Sequence, residues 1–109
     1  MANQMTELLK GTLEGIVLAI LAARPAYGYE ITARLREQGF ADLVEGTVYA
    51  LLIRIEQRGF VDVEKVPSEK GRPRKVYSIN AHGRVQLDEF WSAWIFLAER
   101  IEQLHEAKE

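Results

Sequence analysis

The residue cluster best suited to chemistry lies between Lys70 and Lys75, where four cations surround a glycine and a proline. Arginine binds phosphate oxygens through paired hydrogen bonds, and the end of a hairpin can enter the minor groove of DNA, where the potential is most negative. A charge run alone is more often an ordinary solvated loop. Because this cluster follows an amphipathic helix, we predict contacts with nucleic acid by Lys70, Arg72, Arg74 and Lys75.

The distribution of charge supports one basic surface on an acidic body. The net charge of −2 combines +5 in residues 70–87, which contain no acidic residue, with −7 in the rest of the chain. This asymmetry is expected when a single surface faces phosphates while the rest of the protein avoids other polyanions.

The remaining polar residues predict no catalytic, metal or cofactor site. The chain has no cysteine, and its two histidines, His82 and His105, are too few and too far apart to suggest zinc. Asp88 and Glu89 are adjacent and would point about a quarter-turn apart on a helix, so a solvated helix start explains them better than paired-carboxylate chemistry. We therefore expect a protein that is not an enzyme.

Length and hydropathy favour a single cytoplasmic domain. The 109 residues are 48% hydrophobic, which is enough for one compact core. No stretch reaches the roughly 18 consecutive apolar residues that a membrane span needs, and Met1–Glu7 lacks the basic start of a signal peptide. We expect a soluble protein without a membrane partner.

Three helices are predicted ahead of the cationic cluster. The first ends before Pro25, and the second opens at residues 27–31 and ends at Gly39. The third has Thr47 as its expected N-cap and Gly59 as its stop. Apolar residues at helical spacing define the three helices: Leu8, Leu9, Leu13, Ile16, Val17, Ile20 and Leu21; Ile31 and Leu35; and Val48, Leu51, Leu52 and Ile55.

Two strands and a long helix follow. Phe60–Glu64 and Val76–Ile79 alternate with period two and predict a hairpin, or wing, whose loop carries the cations, and Ala81–Ala107 predicts one helix. The order of elements is that of a winged helix-turn-helix, mainly α with a small β-hairpin, plus an extra helix. We expect residues 1–80 to form the DNA-binding domain and residues 81–109 a dimerisation helix packed on the same core.

The third helix is the element that enters the major groove in helix-turn-helix proteins. On its face away from the core, hydroxyl groups and an arginine suit phosphates. The contact candidates on this face are Thr47, Tyr49 and Arg54. Ala50 and Ile53 offer only apolar contacts, such as those to thymine methyl groups. Two alternatives stay open, in which Tyr49 packs sideways in the domain and Arg54 pairs with Glu30 or another acid.

The last helix carries a heptad seam, which predicts a homodimer because such a seam needs a partner helix. The seam residues are Leu87, Phe90, Trp94, Leu97, Ile101 and Leu104. Trp91 and Trp94 could hold a flat effector between two subunits. Tight packing is the alternative for this pair, since aromatic residues at helical spacing are more often core.

Several separated motifs resemble those of the PadR family of transcriptional regulators. They are Tyr27–Ile31, Gly46–Tyr49, Arg54–Glu56 with Gly59, Gly71–Tyr77 and Gly83. The resemblance implies a dimeric winged-helix repressor that binds double-stranded DNA through residues 47–58 and the wing residues 70–75. Ala50 and Ile53 depart from the family pattern, in which proline and a polar or basic residue are common.

The resemblance also bears on an effector. In short PadR-like proteins that sense drugs, a tryptophan of the last helix lines an aromatic pore at the dimer interface, and Trp94 falls at that place when counted from Gly83. This implies a small aromatic effector. The alternative function is a winged-helix protein-interaction module without a DNA target, which would not need the cations at residues 70–75.

Overall fold

The computed structural model describes residues 2–107, with side chains from residue 4 onward, as four helices and a three-stranded sheet. The helices are α1 (Ala2–Ala23), α2 (Gly28–Glu37), α3 (Glu45–Gln57) and α4 (Ala81–Glu106), and the strands are β1 (Ala26–Tyr27), β2 (Val61–Val66) and β3 (Arg74–Ile79). The predicted fold, mainly α with a small hairpin, is confirmed. Residue 1 and residues 108–109, at the outer ends of the two predicted regions, lie outside the described residues.

The helix ends fall close to their predicted signals, with one exception. α1 stops two residues before Pro25, and Gly39 and Gly59 follow α2 and α3 with φ of 107° and 82°, values that glycine adopts without a steric penalty. The N-cap prediction for Thr47 is wrong. The N-cap is Val44, with extended backbone, and the amide of Thr47 donates to the carbonyl of Val44 within the first helical turn.

The sheet has the order β1–β3–β2 and is antiparallel throughout. β1 was not predicted, because two residues are too short for an alternating pattern. The boundary of the wing also needs correction. Arg74 and Lys75 pair with Val66 and Lys65 within the strands and do not lie in the loop. Two of the four cations are therefore held by the backbone pairing of β2 with β3.

The core joins all four helices to the sheet. Val17 and Leu18 of α1, which are fully buried, lie at its centre, as their apolar surroundings in the sequence predict. α4 enters this core only through its first part, where Gly83 and Leu87 are buried and Phe90 is partly buried. Among the described residues, no helix combines the length and apolar composition needed to cross a membrane.

Candidate nucleic-acid interface

α3 has a buried side and an exposed side. The predicted core residues Val48, Leu51, Leu52 and Ile55 are at most 2% exposed. Because a helix repeats every 3.6 residues, the positions farthest from this buried stripe form a single row. This row, which we call the outer ridge, consists of the exposed residues Gly46, Ala50, Ile53 and Gln57.

The three contact candidates of α3 flank the outer ridge. Thr47 and Arg54 are exposed along one side of it, and Tyr49 is 39% exposed along the other. Tyr49 also packs against α2, since a Cβ atom at Gly28 would lie 2.6 Å from its ring. The sideways packing of Tyr49 is thus present, yet its ring remains partly accessible.

A groove of about 650 Å³ separates α3 from the start of α2 and from β3. Its walls include Tyr27, Tyr29, Tyr49, Ile53, Arg74 and Tyr77. Burial, followed by the charge of Glu56 and by Tyr49, raises the pKa of Tyr77 above the ordinary 10.0. Its hydroxyl therefore stays protonated and neutral at physiological pH.

Arg74 is held over an aromatic pair at the edge of this groove. The rings of Tyr27 and Tyr29 stack with centroids 5.7 Å apart and planes 9° from parallel. The guanidinium carbon of Arg74 lies 5.7 Å from the first ring centroid and 5.6 Å from the second. This cation–π arrangement restricts the arginine while leaving its donors available to a ligand. No sequence pattern indicates this contact, because it depends on the pairing of β1 with β3.

The cations of the interface have no carboxylate partner within the described part of the chain. The ion pairs there are Lys10–Glu7 and Arg58–Glu14, both away from the wing. Arg54 does not pair with Glu30, whose carboxylate instead accepts a hydrogen bond of 2.8 Å from the amide of Tyr27. Among the predicted contact residues, the exposed cations without an ion pair are Arg54, Lys70, Arg72, Arg74 and Lys75.

The predicted seam of α4 divides into two parts. Leu87 is 7% exposed and Phe90 packs against the domain core, so these two residues are held within their own subunit. Trp94, Leu97, Ile101 and Leu104 are 43%, 49%, 50% and 75% exposed. Ile95 and Phe96, which lie on the side of α4 away from the seam, are also more than half exposed and were not among the predicted interface residues.

The two tryptophans have different surroundings. Trp91, which is 41% exposed, borders a cavity of about 530 Å³ with Ile20 of α1, Arg34 of α2 and Phe40. Its ring also contacts Phe90, with centroids 5.3 Å apart. Trp94 lies one turn farther along α4, where the helix has left the domain core.

Comparison with known proteins places the chain in a family of transcriptional regulators. Residues 17–89 match the model of the transcriptional regulator PadR-like family. An uncharacterised protein of Lysinibacillus sphaericus is 27% identical over 106 residues, which make up 95% of this chain and 97% of that protein.

Solved structures show the similarity in three dimensions. A PadR family transcriptional regulator from Eggerthella lenta is 31% identical with a TM-score of 0.88, covering 97% of this chain and 92% of its own. A PadR-like transcriptional regulator from Bacillus cereus is 33% identical with a TM-score of 0.83, covering 94% and 99%. A Streptococcus transcriptional regulator is 38% identical with a TM-score of 0.80, covering 90% and 96%.

Proposed function

We propose that this chain, which belongs to the PadR-like family of transcriptional regulators, is a homodimeric repressor of the cytoplasm that binds double-stranded DNA. The observation that carries the proposal is the set of unpaired cations around the outer ridge of α3. Cations held near an exposed helix face fit a regular polyanion better than they fit an apolar protein partner.

Binding places α3 in the major groove and the wing against the neighbouring backbone. Thr47, Tyr49 and Arg54 are positioned for phosphates, which fix the orientation of the helix, while the outer ridge faces the base edges. Lys70 and Arg72 at the end of the wing are free to enter a minor groove. Arg74 and Lys75, held in β3, contact the backbone between the two elements.

The exposed part of α4 supports a homodimer. Its seam residues Trp94, Leu97, Ile101 and Leu104 form an apolar stripe on a helix that projects from the domain, and a second copy would cover it. Two recognition helices joined in this way must lie roughly 34 to 36 Å apart to bind successive turns of DNA. A dimer with two DNA-binding domains would repress transcription by occupying a promoter.

An effector at the subunit interface would adjust this spacing. Trp94 from each subunit, together with Trp91 one turn earlier on α4, provides aromatic walls for a flat aromatic compound. A compound that binds more tightly to one spacing of the two α4 helices shifts the dimer toward that form. The change in DNA affinity is limited by the ratio of the compound's affinities for the two dimer forms.

The decisive experiment selects bound duplexes from a random-sequence DNA pool with the purified full chain, and then measures affinity against salt concentration. We expect an enriched inverted repeat. Arg72→Ala and Arg74→Ala should each weaken binding to all duplexes and lower the log–log salt slope by about one.

Lys10→Ala is the matched control, because it removes one exposed cation that is already paired with Glu7 on α1. It should leave the salt slope unchanged. A pool that shows no enrichment and no salt-dependent binding would contradict the proposal and favour a protein-interaction module.

A further inference from the structure

We propose that the outer ridge of α3 recognises the C5-methyl groups of thymine, and that Ile53 is the residue that sets this specificity. The inference rests on the proposed binding of DNA by α3 and adds to it the chemistry by which the sequence is distinguished.

The ridge is apolar along most of its length. Gly46 has no side chain, and a Cβ atom there would meet nothing within 4 Å. Ala50 and Ile53 are exposed hydrocarbon, the latter 53% exposed, and Gln57 stands at the last residue of the helix. The middle of the ridge therefore has no hydrogen-bond donor or acceptor for a base edge.

Charged groups lie on the flanks of the ridge, where three cations are suited to the DNA backbone and the exposed carboxylate of Glu56 lies on the groove side. Arg54 lies on one side, and Arg74 and Lys75 line the groove on the other side, which Ile53 itself borders. An apolar protein segment seated on the ridge would leave these cations without partners. The major groove of DNA supplies phosphates on both sides and an edge that carries apolar groups, so charge complementarity favours duplex DNA as the occupant.

Thymine is the base that matches such a ridge. In the major groove it presents a C5-methyl group beside its O4 acceptor, and apolar side chains contact that methyl group. The absence of a side chain at Gly46 and the single methyl group of Ala50 let the helix axis come close to the bases, and the longer Ile53 reaches outward from there. Discrimination by hydrogen bonds to guanine or adenine would require arginine, asparagine or glutamine at these positions.

The experiment uses the duplex selected from the random pool, with deoxyuridine replacing thymidine at one position in each half-site. This replacement removes one methyl group from each half-site, two from the duplex, and keeps the base pairs. At one or two positions of the half-site, the wild type should lose about fourfold in affinity per methyl removed, since burial of one such group is worth about 0.8 kcal/mol.

Ile53→Ala should bind the thymidine duplex more weakly and lose at most a small factor on deoxyuridine substitution at those positions. Ile53→Val, which keeps a branched side chain, should retain most of the discrimination. Sedimentation of both variants checks that the oligomeric state is unchanged.

Four results would overturn the inference. They are full affinity for every deoxyuridine duplex, an undiminished deoxyuridine effect in Ile53→Ala, a selected half-site without thymine, and dissociation of a dimer by Ile53→Ala, which would show that the ridge covers protein. In the first three cases salt-dependent DNA binding by the wild type would leave the proposed function standing, whereas the fourth would also remove the proposed placement of α3 in the major groove. Absence of any DNA binding would instead remove both.

Discussion

The ring of Phe90 lies directly against the backbone of Gly15, so closely that a Cβ atom at residue 15 would overlap the ring. This is where α4 crosses α1, just before α4 leaves the domain. The absence of a side chain at Gly15 thus permits the close approach that sets the direction of the projecting helix.

We expect Gly15→Ala to lower the free energy of unfolding by about 1–3 kcal/mol, because the added methyl group must displace a ring packed on the core. Urea denaturation measures the change. Gly11→Ala is the matched control on the same helix, since a Cβ atom there meets nothing within 4 Å. It should stabilise the protein by up to about 1 kcal/mol. Equal effects of the two substitutions would show that the contact with Phe90 is not restrictive.

Asn80 joins the end of the wing to the start of α4. Its Oδ1 accepts a hydrogen bond of 2.9 Å from the amide of Gly83, and its Nδ2 donates at 3.1 Å to the carbonyl of Gly59 and to Asp62. Asn80→Ala should lower the free energy of unfolding by about 1–2 kcal/mol, because it removes the N-cap and the hydrogen bonds donated by the side-chain amide.

Asn80→Ser separates these two contributions, because serine can still cap the helix but cannot supply the amide donor. Its thermal unfolding midpoint should lie between those of the wild type and Asn80→Ala. If the serine and alanine variants unfold at the same temperature, the cap contributes nothing measurable.

The regular elements could be predicted because each is long enough for its hydrophobic pattern to repeat several times in the sequence. The four buried residues of α3 recur at helical spacing, and the positive φ of Gly59 follows from its place after the last turn. β1 escaped prediction because two residues show no period. Thr47 was a plausible cap by type, but the helix began earlier, at Glu45, with Val44 extended.

Contacts that depend on tertiary pairing could not be predicted. The register that sets Tyr27 opposite Val76 is what brings Arg74 to the aromatic pair. In the same way, the 7% exposure of Leu87 follows from the packing of α4 on α1, whereas the heptad spacing alone assigned it to a partner helix.

The tyrosine pair should act on DNA affinity through Arg74. Tyr29→Leu removes one ring from the cation–π arrangement, which is worth about 0.5–1 kcal/mol at an exposed site, so we expect a two- to fivefold loss of affinity. A double-mutant cycle with Arg74→Ala isolates the coupling. In the Arg74→Ala background, Tyr29→Leu should have almost no effect. An undiminished effect there would mean that Tyr29 contacts DNA by itself.

Leu97→Asp should convert the proposed dimer into monomers, because it places a charge in the middle of the exposed seam. Sedimentation velocity measures the change, and affinity for the selected duplex should fall with it. Gln103→Asp introduces the same side chain on the opposite face of α4, among exposed charged residues, and should leave the dimer intact. An intact dimer in Leu97→Asp would rule out this seam as the interface.

Trp94 should form the wall of an effector site between subunits. A planar compound stacked between two copies of Trp94 gains on the order of 1 kcal/mol from each ring, so Trp94→Ala should weaken binding about tenfold or more. Titration with proflavine, a planar cation, and 1-naphthol, a neutral compound, is followed by tryptophan fluorescence and by isothermal calorimetry.

Trp91→Ala distinguishes the interface from the cavity beside α1 and α2, because Trp91 borders that cavity. If the site lies between subunits, Trp94→Ala should cause the larger loss of affinity for the compound. The bound compound should also change the protein's affinity for the selected duplex, and DNA should change the protein's affinity for the compound by the same factor. If Trp94→Ala stays dimeric and binds both compounds as tightly as the wild type, the aromatic-wall proposal is wrong and Trp94 is simply part of the dimer core.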